Sequence, residues 1–228
     1  MSVAHDVVDA PLAEVREAFA RVSTAQMADA AGQLVQRVDR PFVARNGRPR
    51  VCGPAFPVET DDDMLPCLQA LAAVPRGHVL VIVNRTSPSE ALVGDIYLTS
   101  ALVQGVAGVV VDGAVRDLED LQEIDVPVFS TEVTFASART TDRRADAVPA
   151  TVSLGGADIA PGDWICGDLD GFLVAPAREV RAVMLAAAIL REREEALRAT
   201  IRGTGSTLAE LTNLESYLRG EAPLGFVP

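Results

Sequence analysis

Apolar runs alternate with helical patterns through the middle of the chain. The run HVLVIV, residues 78–83, is almost continuously apolar, which is typical of a strand buried on both faces. The pattern then predicts a helix over 95–104, a strand over 106–111, a short helix over DLEDLQEI and a strand over PVFS. This order predicts an α/β fold with a parallel βαβαβ core and right-handed crossovers.

The segment before this core is predicted to add helices and one strand. Apolar residues at helical spacing predict a helix over 11–22, and Ser23 can cap a second short helix. VCGPAFPVE is predicted to be a strand and MLPCLQALAAV a helix. The acidic turn 61–63 between them is interpreted as a solvated helix start.

The segment after the core changes in character. The segment ARTTDRRADAVPA, residues 138–150, is polar and predicts a surface loop, and residues 150–176 predict extra short strands separated by glycine-containing turns. Asp168 and Asp170 are interpreted as turn residues of this region rather than as catalytic groups.

Two helices are predicted at the C-terminal end. A long helix over 177–201 is charged on nearly all sides in its second half, so we expect that half to pack on a neighbouring chain. Thr207 and Glu210 have the spacing of a capping box, which predicts a last helix over 208–218.

Composition and charge limit the classes of function. The content of 49% hydrophobic residues supports a sizeable core, and the formal net charge of -12 argues against binding to nucleic acid or an anionic membrane. We find no signal peptide or membrane-spanning run, and the three cysteines are too widely spaced for a zinc site or disulfide frame. We therefore expect a soluble, cytoplasmic protein.

The amino acids that are missing narrow the possible chemistry. All 20 basic residues are arginine, which excludes a lysine Schiff base, lysine-bound pyridoxal phosphate and a P-loop. His5 and His78 are too few for a multi-histidine metal centre, and a Ser-His-Asp triad is hard to build from them. An enzyme of this composition has to use carboxylates, arginine and backbone amides, and a hard metal ion is compatible with these groups.

One constellation has these groups at a suitable spacing. Gly94 and Asp95 precede the helix 95–104, and Arg116 and Asp117 follow the next strand, with 20 residues between Asp95 and Arg116. One helix and one strand of that length return the chain to the same edge of a parallel sheet, where α/β proteins hold their ligands.

The groups in this constellation suit an anionic ligand and a divalent cation. The amides of Ile96, Tyr97 and Leu98 begin a helix and can bind a small carboxylate, which Arg116 can also contact. Asp117 and the nearby second carboxylate suit Mg²⁺. A purely structural interpretation remains open from spacing alone, with Asp117 as a helix N-cap and Arg116 as its ion-pair partner.

Several segments resemble the family of the regulator of ribonuclease activity A and the class II 4-hydroxy-4-methyl-2-oxoglutarate/4-carboxy-4-hydroxy-2-oxoadipate aldolases. The resemblance covers residues from about 12 to 202 and includes the family motif of Asp, 20 residues, then Arg-Asp. The matching segments are STAQMADA (23–30), CGPAFPV (52–58), GD (94–95), GVVVDGAVRD (108–117), PVFS (127–130) and PGDWICGDLDGFLVAP (161–176).

This resemblance implies a role for each residue of the motif. Arg116 would bind the pyruvyl carboxylate and keto oxygen and stabilise the enolate. Asp117 would be the direct protein ligand of Mg²⁺ or Mn²⁺, Asp95 would hold water bound to that metal, and the 94–98 amides would bind the pyruvate carboxylate.

The resemblance also implies contributions from outside the motif. Asp29 stands where some aldolases have a glutamate that positions a water, and the family takes one acid from the C-terminal helix of an adjacent subunit. Glu194 is the best match for that acid and Glu195 the second, in a homotrimer or hexamer with sites at the subunit interfaces.

The implied fold is a swivelling β/β/α-type single domain over 1–205, followed by a C-terminal helical extension over 206–228. The chain departs from the family pattern at Asp63, where aldolases often have asparagine, and over 136–149. Because of these two departures, the resemblance does not identify the substrate.

Two functions follow from these expectations. The leading hypothesis is a metal-dependent carbon–carbon lyase that forms pyruvate, by retro-aldol cleavage of a 4-hydroxy-2-oxo acid or by decarboxylation of oxaloacetate. The alternative is a regulatory protein that binds and inhibits a ribonuclease. A methyltransferase activity has also been attributed to this family. This sequence has no glycine-rich loop of the kind that binds adenosylmethionine.

Overall fold

The computed structural model describes residues 6–86, 89–140 and 147–226. His5 and residues 141–146 of the predicted polar loop lie outside these ranges. Within them, every helix is too short or too polar to cross a membrane.

Helices and strands follow one another along the chain largely as the pattern predicts. The helices are α1 (Asp6–Phe19), α2 (Thr24–Ala31), α3 (Met64–Ala73), α4 (Asp95–Gln104), α5 (Leu118–Leu121), α6 (Val180–Thr204) and α7 (Leu214–Leu218). The strands are β1 (Gln36–Val38), β2 (Val43–Ala44), β3 (Val51–Thr60), β4 (Val79–Asn84), β5 (Ala91–Val93), β6 (Gly108–Val115), β7 (Val128–Val133), β8 (Val152–Leu154), β9 (Ala157–Ile159), β10 (Trp164–Asp168) and β11 (Gly171–Ala175).

The chain divides into two compact units, Met1–Ala187 and Ala188–Pro228. This division falls inside α6. The predicted domain boundary at residue 205 stays a prediction. The first unit contains the sheets, and the second contains the rest of α6 and α7.

A large mixed sheet organises the first unit. Its strand order is β1-β11-β10-β3-β4-β6-β7-β2, with β5 paired to β6 at one end. The neighbours β3, β4, β6 and β7 are parallel, which confirms the predicted core, while β10, β11 and β1 form an antiparallel extension. Strand β3 belongs to both parts, since its first half pairs with β10 and its second half with β4.

Both faces of the parallel strands are buried, as the continuous apolar run predicts. In β4, Leu80 and Ile82 pack into a cluster with residues of α3 and α4, and Val79 and Val81 pack into a second cluster that includes the β8–β9 hairpin. The period of two in a strand sends successive side chains to opposite faces, so a sheet covered on both sides needs apolar residues at every position.

The helix boundaries differ from the predicted ones at both ends of the chain. Helix α1 ends at Phe19 instead of residue 22, and the Arg50 guanidinium donates to the carbonyls of Phe19 and Val22 in the turn that follows. Thr207 and Glu210 do exchange the hydrogen bonds of a capping box. These bonds close a single turn and do not begin the predicted helix 208–218, of which only Leu214–Leu218 is helical. The segment is exposed and has little packing to support a longer helix.

Asp63 lies at the start of a helix, as predicted. The prediction that the acidic turn is solvated is wrong for this residue, because Asp63 is buried. Its side chain is 1% exposed, and Oδ1 accepts the amide of Leu65 at 2.8 Å as the N-cap of α3. Its backbone is also fixed, since the Thr60 hydroxyl donates to the Asp63 carbonyl at 2.6 Å.

Asp168 is a turn residue as predicted, and it also holds α2 on the sheet. Its buried carboxylate accepts the hydroxyl of Thr24 at 2.6 Å and the amide of Thr24 at 2.8 Å. The amide of Asp170 donates to the same group at 3.1 Å. These bonds join the β10–β11 turn to the first residue of α2.

We expect Thr24→Val to destabilise the fold, because it removes a short hydrogen bond to a buried carboxylate without changing the shape of the side chain. A loss of about 2 kcal/mol in the free energy of unfolding is the usual size for such a bond. Urea denaturation measures it, with Thr200→Val on an exposed turn of α6 as the control, for which a change below about 0.5 kcal/mol is expected. Equal stability of both variants would contradict the role given to Asp168.

Candidate functional site

A short strand that the pattern did not predict brings the two halves of the motif together. Strand β5 runs parallel to β6, and the amide of Arg116 donates to the carbonyl of Val93 at 3.0 Å. Gly94 follows β5 directly, so it lies beside Arg116 at the carboxyl end of the sheet. The predicted meeting of Asp95 with Arg116 and Asp117 at one edge therefore takes place.

Asp117 has a backbone conformation that most residues avoid. Its φ of 59° and ψ of 42° lie in the left-handed region, which aspartate enters more readily than most residues but still at an energetic cost. It is the N-cap of α5, yet its side chain makes no capping hydrogen bond. The unusual backbone instead aims the carboxylate at the start of α4.

The Asp117 carboxylate contacts both neighbouring parts of the motif. Its Oδ2 atom is 3.2 Å from Nε of Arg116 and 3.4 Å from the amide nitrogen of Asp95. The side chains of Arg116 and Asp117 are each about one third exposed, so a ligand can reach this ion pair.

Gly94 makes this close approach possible. A Cβ atom on Gly94 would stand 2.4 Å from Oδ2 of Asp117 and 3.2 Å from Nε of Arg116. The backbone of Gly94 is extended, with φ of -138°, so space rather than backbone freedom requires glycine here. A structural ion pair alone would not need the carboxylate to lie against the helix N-terminus in this way.

The first turn of α4 offers amides to an anion, although fewer than predicted. The amide of Leu98 already donates to the carbonyl of Gly94 at 3.0 Å, which is the first bond of the helix. The amides of Ile96 and Tyr97 precede this bond and have no partner within the helix. These two amides and the positive end of the helix dipole are therefore suited to contact an anion.

A cavity of about 370 Å³ opens beside these amides. Arg116 and Asp95 line it on the polar side, together with Ser100 and Ser137. The remaining lining residues are Met64, Leu68, Leu71, Ala91, Gly94, Ile96 and Tyr97. The site thus combines one charged corner with walls that are mostly apolar.

Tyr97 offers its backbone amide to the site, because its hydroxyl group is already hydrogen-bonded elsewhere. Its Oη donates to the carbonyl of Cys67 at 2.8 Å, and burial raises the pKa of this hydroxyl well above its ordinary value. Burial, and then the carboxylate of Asp63, raise the pKa of Cys67 to about 12. Both groups stay protonated at neutral pH, so neither acts as a base or a thiolate nucleophile.

A second cavity, of about 420 Å³, lies against Arg116 and is acidic. Its walls include Asp117, Glu119 and Asp120, and the side chain of Phe135 beside them is 96% exposed. Arg116 lines both cavities, so it is reached from two sides.

The donors at this site fit a hard divalent cation that keeps most of its water. Asp117 and Asp95 are carboxylates at one edge, and Mg²⁺ is held by one or two carboxylates together with waters and substrate oxygens. Among the described residues, no group of three His, Cys, Asp or Glu side chains has the arrangement of a protein-enclosed metal centre. The residues that would hold the cation are Asp117 and, through water, Asp95.

The other predicted residues lie elsewhere in the chain. Asp29 is exposed on α2, which packs on β10 and β11, and it does not line either cavity beside Arg116. Glu194 pairs with Arg198 at 3.5 Å and Glu195 with Arg191 at 2.8 Å, all within the second unit. The role of Asp29 stays a prediction, and the roles of Glu194 and Glu195 stay predictions that involve a neighbouring subunit.

The sequence reasoning missed the apolar wall of the site. Met64, Leu68 and Leu71 come from α3, which follows β3 and precedes β4. Their spacing is that of an ordinary core-facing helix. Only Leu68 differs from a core residue, because it is 46% exposed. Hydrophobic pattern alone could not separate these residues from the core.

Curated relatives resemble the chain through this region. A Halalkalibacterium halodurans protein, provisionally named 4-hydroxy-4-methyl-2-oxoglutarate aldolase, is 38% identical over 132 residues, which is 58% of this chain and 62% of that protein. A Burkholderia mallei protein with the same provisional name is 39% identical over 149 residues, covering 64% of this chain and 87% of its own length. The chain thus spans less than two thirds of the first of these relatives.

A solved structure with a different description shares the fold. Streptomyces coelicolor RraAS2, described as an unusual member of the RNase ES inhibitor RraA protein family, matches with a TM-score of 0.72 and 26% identity. The match covers 82% of this chain and 98% of that one.

The family itself follows from the match to a family model. The model for RraA-like proteins, described as Aldolase/RraA, matches residues 24–174, which is more than half of the chain. The matched range contains Asp95, Arg116 and Asp117, whose contacts make up the site. The chain belongs to the RraA-like family.

Proposed function

We propose that this protein is a divalent-metal-dependent carbon–carbon lyase that forms pyruvate from a 4-hydroxy-2-oxo acid, with decarboxylation of oxaloacetate as a second reaction of the same site. The observation that carries the proposal is the Arg116–Asp117 pair held against the open first turn of α4. The provisional aldolase names of two relatives support it.

Binding of the 2-oxo acid follows from the positions of the donors. The amides of Ile96 and Tyr97 suit the carboxylate of the substrate, because a helix N-terminus favours an anion. Arg116, in the adjoining wall, can donate from its guanidinium to the same carboxylate and to the keto oxygen.

Cleavage breaks the bond between C-3 and C-4 and leaves its electron pair on the pyruvyl part as an enolate. Arg116 stabilises the negative charge that develops on the enolate oxygen, an effect larger in the transition state than in the bound substrate. A divalent cation at Asp117 would supply a Lewis acid for the keto oxygen. The chain has no lysine to form an iminium in its place.

The proton of the C-4 hydroxyl needs a base when an aldol is cleaved. Asp95 is the acidic side chain that lines the cavity within the described chain, and it lies half-buried in its wall. We assign it the transfer of this proton, directly or through one water. We also propose that Glu194 or Glu195, and Asp29, complete the site from neighbouring subunits of a homotrimer or hexamer.

A second candidate function is inhibition of a ribonuclease by direct binding. The fold match to a protein described as a member of the RNase ES inhibitor family and the net charge of -12 favour it. Binding of a purified endoribonuclease that persists in Arg116→Ala, together with no turnover of any 2-oxo acid, would place this function first.

Chelation and substitution of the motif test the lyase. Pyruvate release with Mg²⁺ should stop in EDTA and return when excess Mg²⁺ is added. Arg116→Ala and Asp117→Asn should each lower kcat/KM by about 100-fold or more, as removal of a single transition-state donor does elsewhere. Arg48→Ala removes an ion pair with Asp125, and neither residue lines a cavity beside Arg116, so this variant is the control and should keep full activity.

Activity that is unchanged by EDTA, or that both motif variants retain, would overturn the proposal. Circular dichroism of each variant separates a loss of chemistry from a loss of fold.

The contact between Gly94 and Asp117 gives a second test. Gly94→Ala should move the Asp117 carboxylate, since a side-chain end can shift where backbone cannot, and should lower kcat/KM by at least about tenfold. The melting temperature should change little. Gly32→Ala, which has free space around the new methyl group, is the matched control with normal activity. Full activity of Gly94→Ala would contradict the account of this contact.

A further inference from the structure

Two cysteines that are far apart in the sequence meet in the sheet. Cys52 on β3 and Cys166 on β10 are 114 positions apart, and the antiparallel register places them directly opposite each other. Opposite residues of an antiparallel pair have Cα atoms about 4.5 or 5.5 Å apart, depending on the kind of pair. A disulfide accepts Cα separations of about 4.4–6.8 Å. Either kind of pair therefore gives the backbone separation that a disulfide between these strands requires.

The two thiols also face each other. Their Sγ atoms are 3.4 Å apart, as in a hydrogen bond between thiols, and a disulfide bond would bring them to about 2.0 Å. Rotation of the two side chains can supply a movement of this size, so the strands need not separate. The backbone is held in place, because β10 pairs with β3 on one side and with β11 on the other, and Nε of Arg16 donates to the Cys52 carbonyl at 3.0 Å.

The two thiols differ in exposure. Cys52 is 7% exposed and lines a cavity together with Arg16 and Arg50, whereas Cys166 is 0% exposed. A hydrogen bond with Cys52, and then burial, raise the pKa of Cys166 well above its ordinary value. A small oxidant therefore reaches Cys52 first, and Cys166 remains a protonated thiol beside it.

Cys67 shows how a cysteine that only fills the core is placed in this chain. It lies on α3, its Sγ donates to the carbonyl of Asp63 at 3.8 Å, and it packs in the apolar cluster with residues of α4 and β4. A buried cysteine of this kind acts as a small apolar side chain. The pair of Cys52 and Cys166 differs from it, because each thiol has the other as its partner.

We propose that Cys52 and Cys166 form a reversible redox pair, in which hydrogen peroxide oxidises Cys52 and Cys166 resolves the product to a disulfide. Oxidation breaks the O–O bond of the peroxide: one oxygen stays on the Cys52 sulfur as a sulfenic acid, and the other leaves as water with the thiol proton. Cys166 then attacks this sulfur, the S–O bond breaks, and the hydroxide leaves as a second water with the proton of Cys166. Two thiols thus lose two electrons, and one peroxide becomes two waters. A dithiol reductant returns both cysteines to thiols by exchange.

The disulfide acts on the stability of the fold. It joins the antiparallel extension to the parallel core across the 114 positions between the two cysteines, and closing so long a loop restricts the unfolded chain. Cys52 precedes Ala55, where the parallel pairing of β3 begins, whereas Arg116 and Asp117 follow the carboxyl end of β6. The pair therefore lies at the opposite end of the parallel strands from the motif, and the inference does not depend on the proposed lyase function.

Peptide mapping after peroxide treatment tests the inference on the full chain. The reduced protein is exposed to hydrogen peroxide, its remaining thiols are blocked with iodoacetamide, and it is digested without reductant for mass spectrometry. We expect a cross-link between Cys52 and Cys166, with Cys67 alkylated. The melting temperature should rise by at least about 5 °C, and dithiothreitol should reverse both changes.

Two variants separate the resolving thiol from a thiol of the core. In Cys166→Ala, Cys52 should stay a sulfenic acid that dimedone captures, and peroxide should no longer raise the melting temperature. Cys67→Ala is the matched control, because it also removes a buried thiol. This control should keep the cross-link and the rise in melting temperature.

Three results would overturn the proposal. They are alkylation of both Cys52 and Cys166 after treatment with excess peroxide, a cross-link through Cys67, and a cross-link between Cys52 and Cys166 that leaves the melting temperature unchanged. All three are read from the wild-type protein, so the test stands even where a variant does not fold.

Discussion

The close packing of the Asp117 carboxylate against the backbone of Gly94 is the contact on which the site depends. It requires a strand that ends at Val93, a residue without a side chain at 94, and a left-handed backbone at 117. Each requirement is local, but they meet only because β5 and β6 are parallel and adjacent. The fold supplies that adjacency, and the ion pair between Arg116 and Asp117 follows from it.

This arrangement places opposite charges within reach of one small ligand. The positive end of α4 and Arg116 favour an anion, while Asp117 and Asp95 favour a cation. A 2-oxo acid chelated to a divalent cation presents both charges at once, which is why the lyase proposal accounts for all four groups. A purely structural ion pair would account for Arg116 and Asp117 but leave the open amides of α4 without a role.

Much of the architecture could be predicted from the sequence, because the central strands are buried on both faces and their runs are continuously apolar. The meeting of Asp95 with Arg116 and Asp117 was predictable for a related reason: one helix and one strand return the chain to the same edge. Strand β5 has three residues and shows no period of its own, so its role in locating Gly94 was missed. The apolar wall from α3 was also missed, because a ligand-facing leucine and a core-facing leucine have the same spacing. Asp63 was misjudged since a run of three aspartates looks solvated until the N-cap geometry is known.

The central claim is that Arg116 and a cation beside Asp117 stabilise a pyruvate enolate, and hydrogen exchange at C-3 of pyruvate measures this most directly. Proton NMR of pyruvate in D₂O needs no knowledge of the physiological substrate. The account predicts that the methyl signal is lost rapidly with enzyme and Mg²⁺, and at least about 100-fold more slowly with Arg116→Ala. Exchange no faster than with Mg²⁺ alone, or equally fast in the variant, would contradict it.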